Sequence, residues 1–428
     1  MLRAGVDAVV NRLLRLAILI SLGSGFLGLA GCVVNETRPL PKLQAVQAKQ
    51  QIPDAELLDV AIRSFDPNIP AAIADNEEAL DKRRIYPDIR KAESRLLPER
   101  LKATLQTSGQ WGAVRVVPES VKFVDVIVSG RILESTGGRL ELEINAVDAM
   151  GRVWIDDKNY SGDADLGSYK TDPAMRARDP FQNVYVQIAN DLLEVRDRLG
   201  AAERRDLRTV AQLRFAQDLD PRSFQGYLQT DATGLTRIAR LPAAEDPALA
   251  RTEKIRERDA AVIDTLDGYN SRFAEGLFDS YAGYRRTSRE AIEKEEKARS
   301  QATTRTVLGA AAVLASIFVS SQCGSTDYNC QRIEDAVRYG GGIGGVAAVM
   351  SGIKKFADAK TAAQEVKELA SSFEDEASTQ IVEVEGRSLK LSGTAEEQYR
   401  EWRRLLADIY REEVGRSAPQ TTASGPGG

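Results

Sequence analysis

The chain has 428 residues, a net charge of −5 at pH 7, 43% hydrophobic residues and no histidine. This length allows two or three domains with cores of their own. Acidic and basic residues are interspersed, so no basic surface for nucleic acid is predicted. Aromatic residues make up 6% of the chain and charged residues 28%, a mixture typical of long helices. Without histidine, the commonest general base and metal ligand are excluded, and we expect a protein that is not an enzyme.

The first 31 residues have the layout of a secretory signal peptide. Arg3, Arg12 and Arg15 form a basic head, and residues 16–30 form an apolar core that ends in small residues. The alternative, a transmembrane anchor, needs about 20 apolar residues. This core is shorter than that and is interrupted by glycine.

The four residues Leu29-Ala30-Gly31-Cys32 end this segment. They resemble the lipobox of bacterial lipoproteins. The resemblance implies that the preceding residues are removed and that the Cys32 thiol becomes a thioether to diacylglycerol. Val33, rather than an aspartate, follows the cysteine, which implies sorting to the outer membrane, facing the periplasm. Residues 32–52 then have the composition of a flexible tether.

Two further cysteines, Cys323 and Cys330, remain if Cys32 carries the lipid. The resemblance places them in an oxidising compartment, where disulfides persist. The short loop between them is one that a disulfide could close, with a stabilisation of about 2–3 kcal/mol from chain entropy. A two-cysteine metal site is the alternative, but it would have no histidine ligand. We predict the disulfide, and we predict no metal and no other cofactor.

Residues 53–165 predict a small α+β sandwich domain. Alternation over 57–65 indicates a strand. The next apolar pattern predicts a helix with Pro98 in its first turn and Gly109 at its C-terminal cap. Three alternating segments follow, and they predict a strand meander. Its hairpin turns are expected at Gly137-Gly138 and Met150-Gly151.

Within this domain, Trp111, Asp125 and Gly130 belong to the pattern L-x-x-x-L-x-x-S-G-x-W…D-V-I-V-S-G. The pattern resembles periplasmic domains of the curli-secretion lipoproteins, of the Tol β-propeller protein and of the lipoprotein activators of peptidoglycan synthases. The resemblance implies a domain that binds partners and is not catalytic. Trp111 and Trp154 are predicted to be core aromatics, and an exposed partner-binding edge is the alternative.

The rest of the chain is predicted to be mainly α-helical. Residues 180–240 form a helical connector with a loop after 228, and 248–378 form a long antiparallel helical hairpin. Its first arm carries a stripe of apolar residues at three- and four-residue steps, which we expect to face the second arm, residues 342–378. The stripe comprises Ile255, Val262, Leu266, Tyr269, Phe273, Leu277, Tyr281 and Tyr284.

The last segment, 379–415, predicts a β-hairpin turning at Gly386 and a C-terminal helix. Thr394 and Glu397 have the spacing of a capping box. Trp402 and Tyr410 are expected to dock this helix onto the body. The tail, residues 416–428, is disordered by composition.

A glycine- and alanine-rich tip, residues 306–353, lies between the two predicted arms. Its apolar runs would give helices of about 24 and about 21 Å, short of the roughly 30 Å hydrocarbon core of a bilayer. Gly309, Gly341 and Gly345 permit close backbone approach. Two interpretations stay open, namely tight packing within the hairpin or between subunits, and contact with a membrane or another envelope protein. The run GGGIGG at 340–345 lacks the lysine and the preceding strand of a phosphate loop.

Together these features predict a non-catalytic scaffold or accessory subunit of a cell-envelope assembly, anchored to the outer membrane by its lipid. Its partner would be an envelope protein or a second copy of the chain. The alternative is an oligomerising subunit of a secretion system or pore, whose hairpin tip contacts a membrane.

Overall fold

The computed structural model describes residues 42–165, 178–243, 245–294, 364, 368, 379–384, 387–392 and 394–415. The strands are β1 (Val60–Arg63), β2 (Val114–Val117), β3 (Val126–Ser135), β4 (Arg139–Asp148), β5 (Val153–Asp163), β6 (Leu228–Thr230), β7 (Thr236–Ile238), β8 (Thr379–Val384) and β9 (Arg387–Ser392). The helices are α1 (Glu77–Lys82), α2 (Pro87–Ser108), α3 (Gln182–Arg198), α4 (Ala201–Leu219), α5 (Pro247–Gly276), α6 (described over 278–294) and α7 (Ala395–Glu413). The predicted combination of a sheet with helices is confirmed.

The main sheet has five strands in the order β2-β1-β3-β4-β5. Strand β1 pairs in parallel with both β2 and β3. Strands β3, β4 and β5 form the predicted antiparallel meander. Gly151 turns the second hairpin at φ +88°, a conformation that glycine adopts without a steric cost. The sheet is therefore mixed, with a parallel half and an antiparallel half.

Helix α2 begins earlier than the sequence predicted. Pro87 occupies its first turn, and Pro98, which we placed there, lies in its interior. An interior proline leaves the carbonyl four residues before it without a helical donor. That carbonyl belongs to Ser94, and it accepts the Phe65 backbone N–H at 2.8 Å. A hydrogen bond from the segment after β1 thus compensates for the proline. Gly109, at φ +65°, caps the helix as predicted.

The first hydrophobic core lies between one face of the sheet and helices α2 and α3. Val60 and Ile62 of β1 point into it, together with Leu101 of α2 and Ile188 of α3. These four side chains are at most 1% exposed. The alternating burial of β4 places its apolar residues on the same face, as the sequence pattern requires.

The second face of the sheet is covered along β1 and β2. Ala61, which lies between the two core residues of β1, packs in a different core with α4, α5 and α7. Successive side chains of a strand point to opposite faces, so β1 is buried on both sides. This is the usual situation of parallel strands, and one of the covering helices, α5, comes from the region predicted to be a separate helical hairpin.

The apolar stripe of α5 and α6 packs against α2, α7 and the sheet. Ile255, Val262 and Leu266 pack with α7 and the second face of the sheet. Phe273, Leu277, Tyr281 and Tyr284 pack with Ile89, Ala92 and Leu96 of α2. Residues 342–378, which the stripe was expected to face, lie outside the described residues apart from 364 and 368, so that expectation stays a prediction. Periodicity showed that the stripe is buried, but it carried no information about the surface that covers it.

Part of the predicted tether is docked on the body. Leu43 and Val46 donate backbone N–H groups to Asn183 Oδ1 and Asn190 Oδ1 of α3, at 3.1 and 3.0 Å. The two asparagines lie two helical turns apart, about 10 Å along α3. The three residues from Leu43 to Val46 span about the same distance when extended, so the strap follows the helix. Ala48 N–H then reaches Ser108 O at the end of α2 at 2.9 Å. We call residues 42–48 the strap.

The connector, residues 180–240, contains α3 and α4 as predicted. The loop that we expected after 228 holds a small hairpin, in which β6 pairs with β7. Its turn includes Gly234 at φ +87°.

The described strands and helix of the C-terminal segment match the prediction. Strands β8 and β9 pair antiparallel, and the expected turn at Gly386 lies outside the described residues. Thr394 and Glu397 form a complete capping box at the start of α7. Trp402 and Tyr410 are at most 1% exposed in the core that joins α7 to α5.

Candidate functional site: an arginine-lined cavity

The site residues predicted from sequence lie outside the described residues. They are Cys32, Cys323, Cys330, Gly309, Gly341 and Gly345. The lipid anchor, the disulfide and the close-packing tip therefore remain predictions, as do the signal peptide 1–31 and the tail 416–428.

The pattern residues of the sheet domain are internal. Trp111 and Trp154 are each 7% exposed and lie 6.3 Å apart between ring centroids in the first core. The prediction that they are core aromatics is confirmed. Close packing explains the glycine at position 130, because a Cβ there would lie 2.8 Å from Phe65 Cδ1 and 2.9 Å from Ile144 Cδ1.

The third pattern residue, Asp125, belongs to an acidic pair that joins the starts of the parallel strands. Its Oδ2 accepts the backbone N–H of Asp59 at 2.8 Å, and Asp59 Oδ1 accepts the N–H of Ala113 at 2.8 Å. Burial raises the pKa of Asp125 to about 6, and the neighbouring Asp59 charge adds to the shift. Arg208 Nε lies 3.7 Å from its Oδ2. Because these carboxylates hold β1, β2 and β3 in register, we assign the pair a structural role.

A cavity of about 300 Å³ lies between the start of α3, helix α2 and helix α6. Its volume is at the lower end of the range for small-ligand sites. Four arginines contribute to its lining, together with two aspartates and one large apolar side chain. These residues are Arg100, Arg178, Arg285, Arg286, Asp179, Asp279 and Phe278.

Arg285 is the most deeply buried of the four arginines, with a side chain 3% exposed. Its guanidinium lies over the rings of Phe181 and Tyr281, at 4.7 and 4.4 Å from their centroids. Its Nη1 is 3.4 Å from both carboxylate oxygens of Asp179. Arg100 Nε lies 3.5 Å from the same carboxylate. Asp179 thus holds two of the arginines in place.

Tyr281, which also lines the cavity, is fixed as well. Tyr281 Oη donates to Glu93 Oε1 at 2.6 Å, and Ser135 Oγ donates to the same oxygen at 2.6 Å. Burial raises the pKa of Tyr281 well above its ordinary value. Burial also raises the pKa of Tyr185. Both phenols therefore stay neutral at physiological pH, and the charge of the cavity comes from its arginines and aspartates.

The other two arginines are less constrained. Arg178 Nη2 donates to Asn183 Oδ1 at 2.7 Å and to Leu43 O of the strap at 3.4 Å. Within the described ranges no acidic side chain pairs with Arg286, and its Nε is buried without a hydrogen-bond partner. Arg100 lies 5.1 Å from the centroid of Phe278, whose side chain is 40% exposed. The cavity therefore combines a fixed cationic wall, an available donor and an apolar rim.

The chain matches no family model, no curated protein and no solved structure. Among the residues that the structure describes, no helix is long and apolar enough to cross a membrane. In the same part of the chain, no group of three or more cysteine or acidic side chains could hold a metal ion. The chemistry of the cavity follows from its charge and its geometry.

No motif in the sequence marks this cavity. Its arginines come from α2, from the segment before α3 and from α6, and their spacing in the chain has no pattern. One local signal was present: Arg285 and Arg286 directly follow Tyr284, the last residue of the apolar stripe. A charged pair at the end of a buried stripe indicates that a polar site adjoins it.

Proposed function

We propose that this chain is an outer-membrane lipoprotein, lipidated at Cys32, and a non-catalytic scaffold or accessory subunit of a cell-envelope assembly. The body would present residues 306–353 to a partner in the envelope. The observation that carries this proposal is the way the segment around 306–353 is joined to the body.

Residues 295–393 are inserted between two elements that both pack on the same body. Helix α6 precedes the insertion, and its Tyr284 is 2% exposed against α2. Helix α7 follows it, and its Trp402 is fully buried against α5. A segment whose two ends are fixed in this way can transmit force or position between the body and a partner. We propose that its residues 295–378 complete the helical hairpin that the sequence pattern predicts over 248–378.

The strap limits how far the body can stand from the proposed lipid. Among the described residues, which begin at 42, Leu43 is the first with a hydrogen bond to α3, eleven residues after Cys32. Eleven residues span at most about 40 Å when fully extended. A tether that ran freely to residue 52 would allow about 70 Å. The shorter limit favours a protein that works close to the membrane surface.

The alternative is an oligomerising secretion or pore subunit whose tip enters a bilayer. Gly341 and Gly345 favour it because their spacing permits close helix contact in membranes. The two candidates differ in what residues 306–353 touch, either another protein or lipid.

Lipidation and partner contact can be tested in the same cells. Labelling with radioactive palmitate should mark the chain and should be lost in Cys32→Ser. Photocrosslinking from single positions within 306–353 should then give one discrete product of constant mass. Crosslinks from the exposed Arg251 of α5 should not give that product. If the chain is labelled with palmitate but gives no discrete crosslinked product, the scaffold role is contradicted.

The pore alternative has its own measurement. The Cys32→Ser chain is mixed with anionic liposomes, before and after replacement of 306–353 by a short Gly-Ser linker. Binding and dye release that depend on 306–353 would favour the pore. A discrete species that leaves liposomes intact would favour the scaffold.

A further inference from the structure

We propose that the arginine-lined cavity binds a phosphomonoester group, on a soluble metabolite or on a lipid headgroup. The inference goes beyond the scaffold role and does not depend on lipidation of Cys32. It is carried by the charge of the cavity, the fixed geometry of its wall and the available donor groups of Arg286.

The formal charge of the cavity matches a dianion. Four arginines contribute +4, and Asp179 and Asp279 contribute −2, which leaves +2. A phosphomonoester carries about −1.5 to −2 at pH 7, whereas a carboxylate or a phosphodiester carries about −1. The monoester therefore neutralises the cavity most completely.

The wall is organised before any ligand binds. Arg285 is held by Asp179 and by the rings of Phe181 and Tyr281, and Arg100 is held by the same aspartate. A guanidinium that is fixed in this way loses little conformational freedom on binding. Its planar array of donors matches the oxygens of a phosphate.

Arg286 supplies the donors that the wall does not. Its Nε is buried without a hydrogen-bond partner, and a buried donor without an acceptor is costly. A phosphate oxygen in the cavity would accept from it and remove that cost. The exposed ring of Phe278 lies at the rim, where it can contact the organic part of the ligand.

The test uses the full chain in a non-ionic detergent and isothermal titration calorimetry. The probes are sn-glycerol 3-phosphate, phosphatidic acid in mixed micelles, phosphatidylglycerol in the same micelles, and succinate. We expect at least one of the two monoesters to bind, and more tightly than phosphatidylglycerol and succinate. Binding of glycerol 3-phosphate identifies a soluble source, and binding of phosphatidic acid alone identifies a lipid headgroup.

The decisive variant is Arg286→Gln. It should weaken binding of the monoester about 10- to 100-fold, as expected for loss of a charge-assisted hydrogen bond. Arg286→Lys keeps the charge but lacks the planar, forked donors of the guanidinium. Its affinity for the monoester should lie between those of the parent chain and Arg286→Gln. Arg251→Gln removes one charge from an exposed position on α5 outside the cavity and should bind like the parent chain. Urea unfolding of each variant verifies that it is folded.

Two results would overturn the proposal. One is the absence of binding by either monoester, or equal binding of succinate. The other is equal affinity of folded Arg286→Gln and Arg251→Gln for the monoester. Neither result bears on palmitate labelling of Cys32 or on crosslinking from 306–353, so failure here is distinguishable from failure of the scaffold role.

Discussion

Trp402 donates its indole N–H to Asp259 Oδ1 at 3.1 Å, although 143 residues separate the two. Tyr399 Oη donates to the other oxygen, Oδ2, at 3.0 Å. Arg403 Nη1 lies 3.6 Å from the same oxygen. Asp259 is 5% exposed, and burial raises its pKa. One buried carboxylate on α5 thus accepts two hydrogen bonds from the C-terminal helix that closes the insertion.

Replacing this carboxylate should loosen α7. Asp259→Ala leaves the donors of Tyr399 and Trp402 buried without an acceptor, so we expect a loss of about 2–4 kcal/mol in the free energy of unfolding. Urea unfolding followed by tryptophan fluorescence measures it. Glu257→Ala, at an exposed position two residues away, is the control and should change stability by less than about 0.5 kcal/mol. Equal effects of the two variants would show that Asp259 does not hold α7.

Asp125 should make stability depend on pH. Its folded pKa of about 6 lies above the ordinary value of 3.8, so the native state binds the proton more tightly. Protonation of Asp125 therefore contributes about 3 kcal/mol to the free energy of unfolding. This contribution is fully present below about pH 4 and is lost as the pH rises through 6. Asp125→Asn should remove this slope, because the amide oxygen can still accept the Asp59 N–H.

The measurement is the free energy of unfolding from pH 4 to pH 7. The free energy of unfolding of Asp125→Asn minus that of the parent chain should increase as the pH rises. Asp206→Asn, at an exposed position on α4, should show no such shift. A constant difference between Asp125→Asn and the parent chain would contradict the raised pKa.

The first hairpin turn should not tolerate a side chain. A Cβ on Gly137 would collide with the backbone of α6 at Arg285 O and Arg289 N. Gly137→Ala must therefore move the turn or the helix, and we expect a loss of about 1–3 kcal/mol. Gly283→Ala is the matched control, since its Cβ would meet nothing within 4 Å. That variant should gain up to about 1 kcal/mol in thermal unfolding, because alanine favours a helix. A neutral Gly137→Ala would refute the close contact.

The strap should be released by loss of its acceptors on α3. Asn183→Ala and Asn190→Ala together remove the oxygens that accept Leu43 and Val46 N–H. Limited trypsin digestion should then cleave faster after Lys42 and Lys49, because a protease needs a locally detached chain. Glu194→Ala, at an exposed position of the same helix, should leave the cleavage rate unchanged. An unchanged rate in the double variant would mean that other contacts hold the strap.

Local features of this fold could be predicted from the sequence. The turn at Gly151, the cap at Gly109 and the capping box of Thr394 and Glu397 lie where expected. Each depends on the backbone preferences of a few neighbouring residues, and those preferences are written in the sequence itself. Pro98 shows the limit of such reasoning, because a hydrogen bond from Phe65 offsets its cost.

Partners between distant segments were decided only by the tertiary structure. The stripe of α5 and α6 was recognised as buried from its period, yet its partners are α2, α7 and the sheet. The cavity could not be predicted at all, since Arg100, Arg178 and Arg286 meet only after α2, α3 and α6 have packed. An apolar or charged residue specifies the environment that it needs, and the packing of the whole chain determines which residues provide that environment.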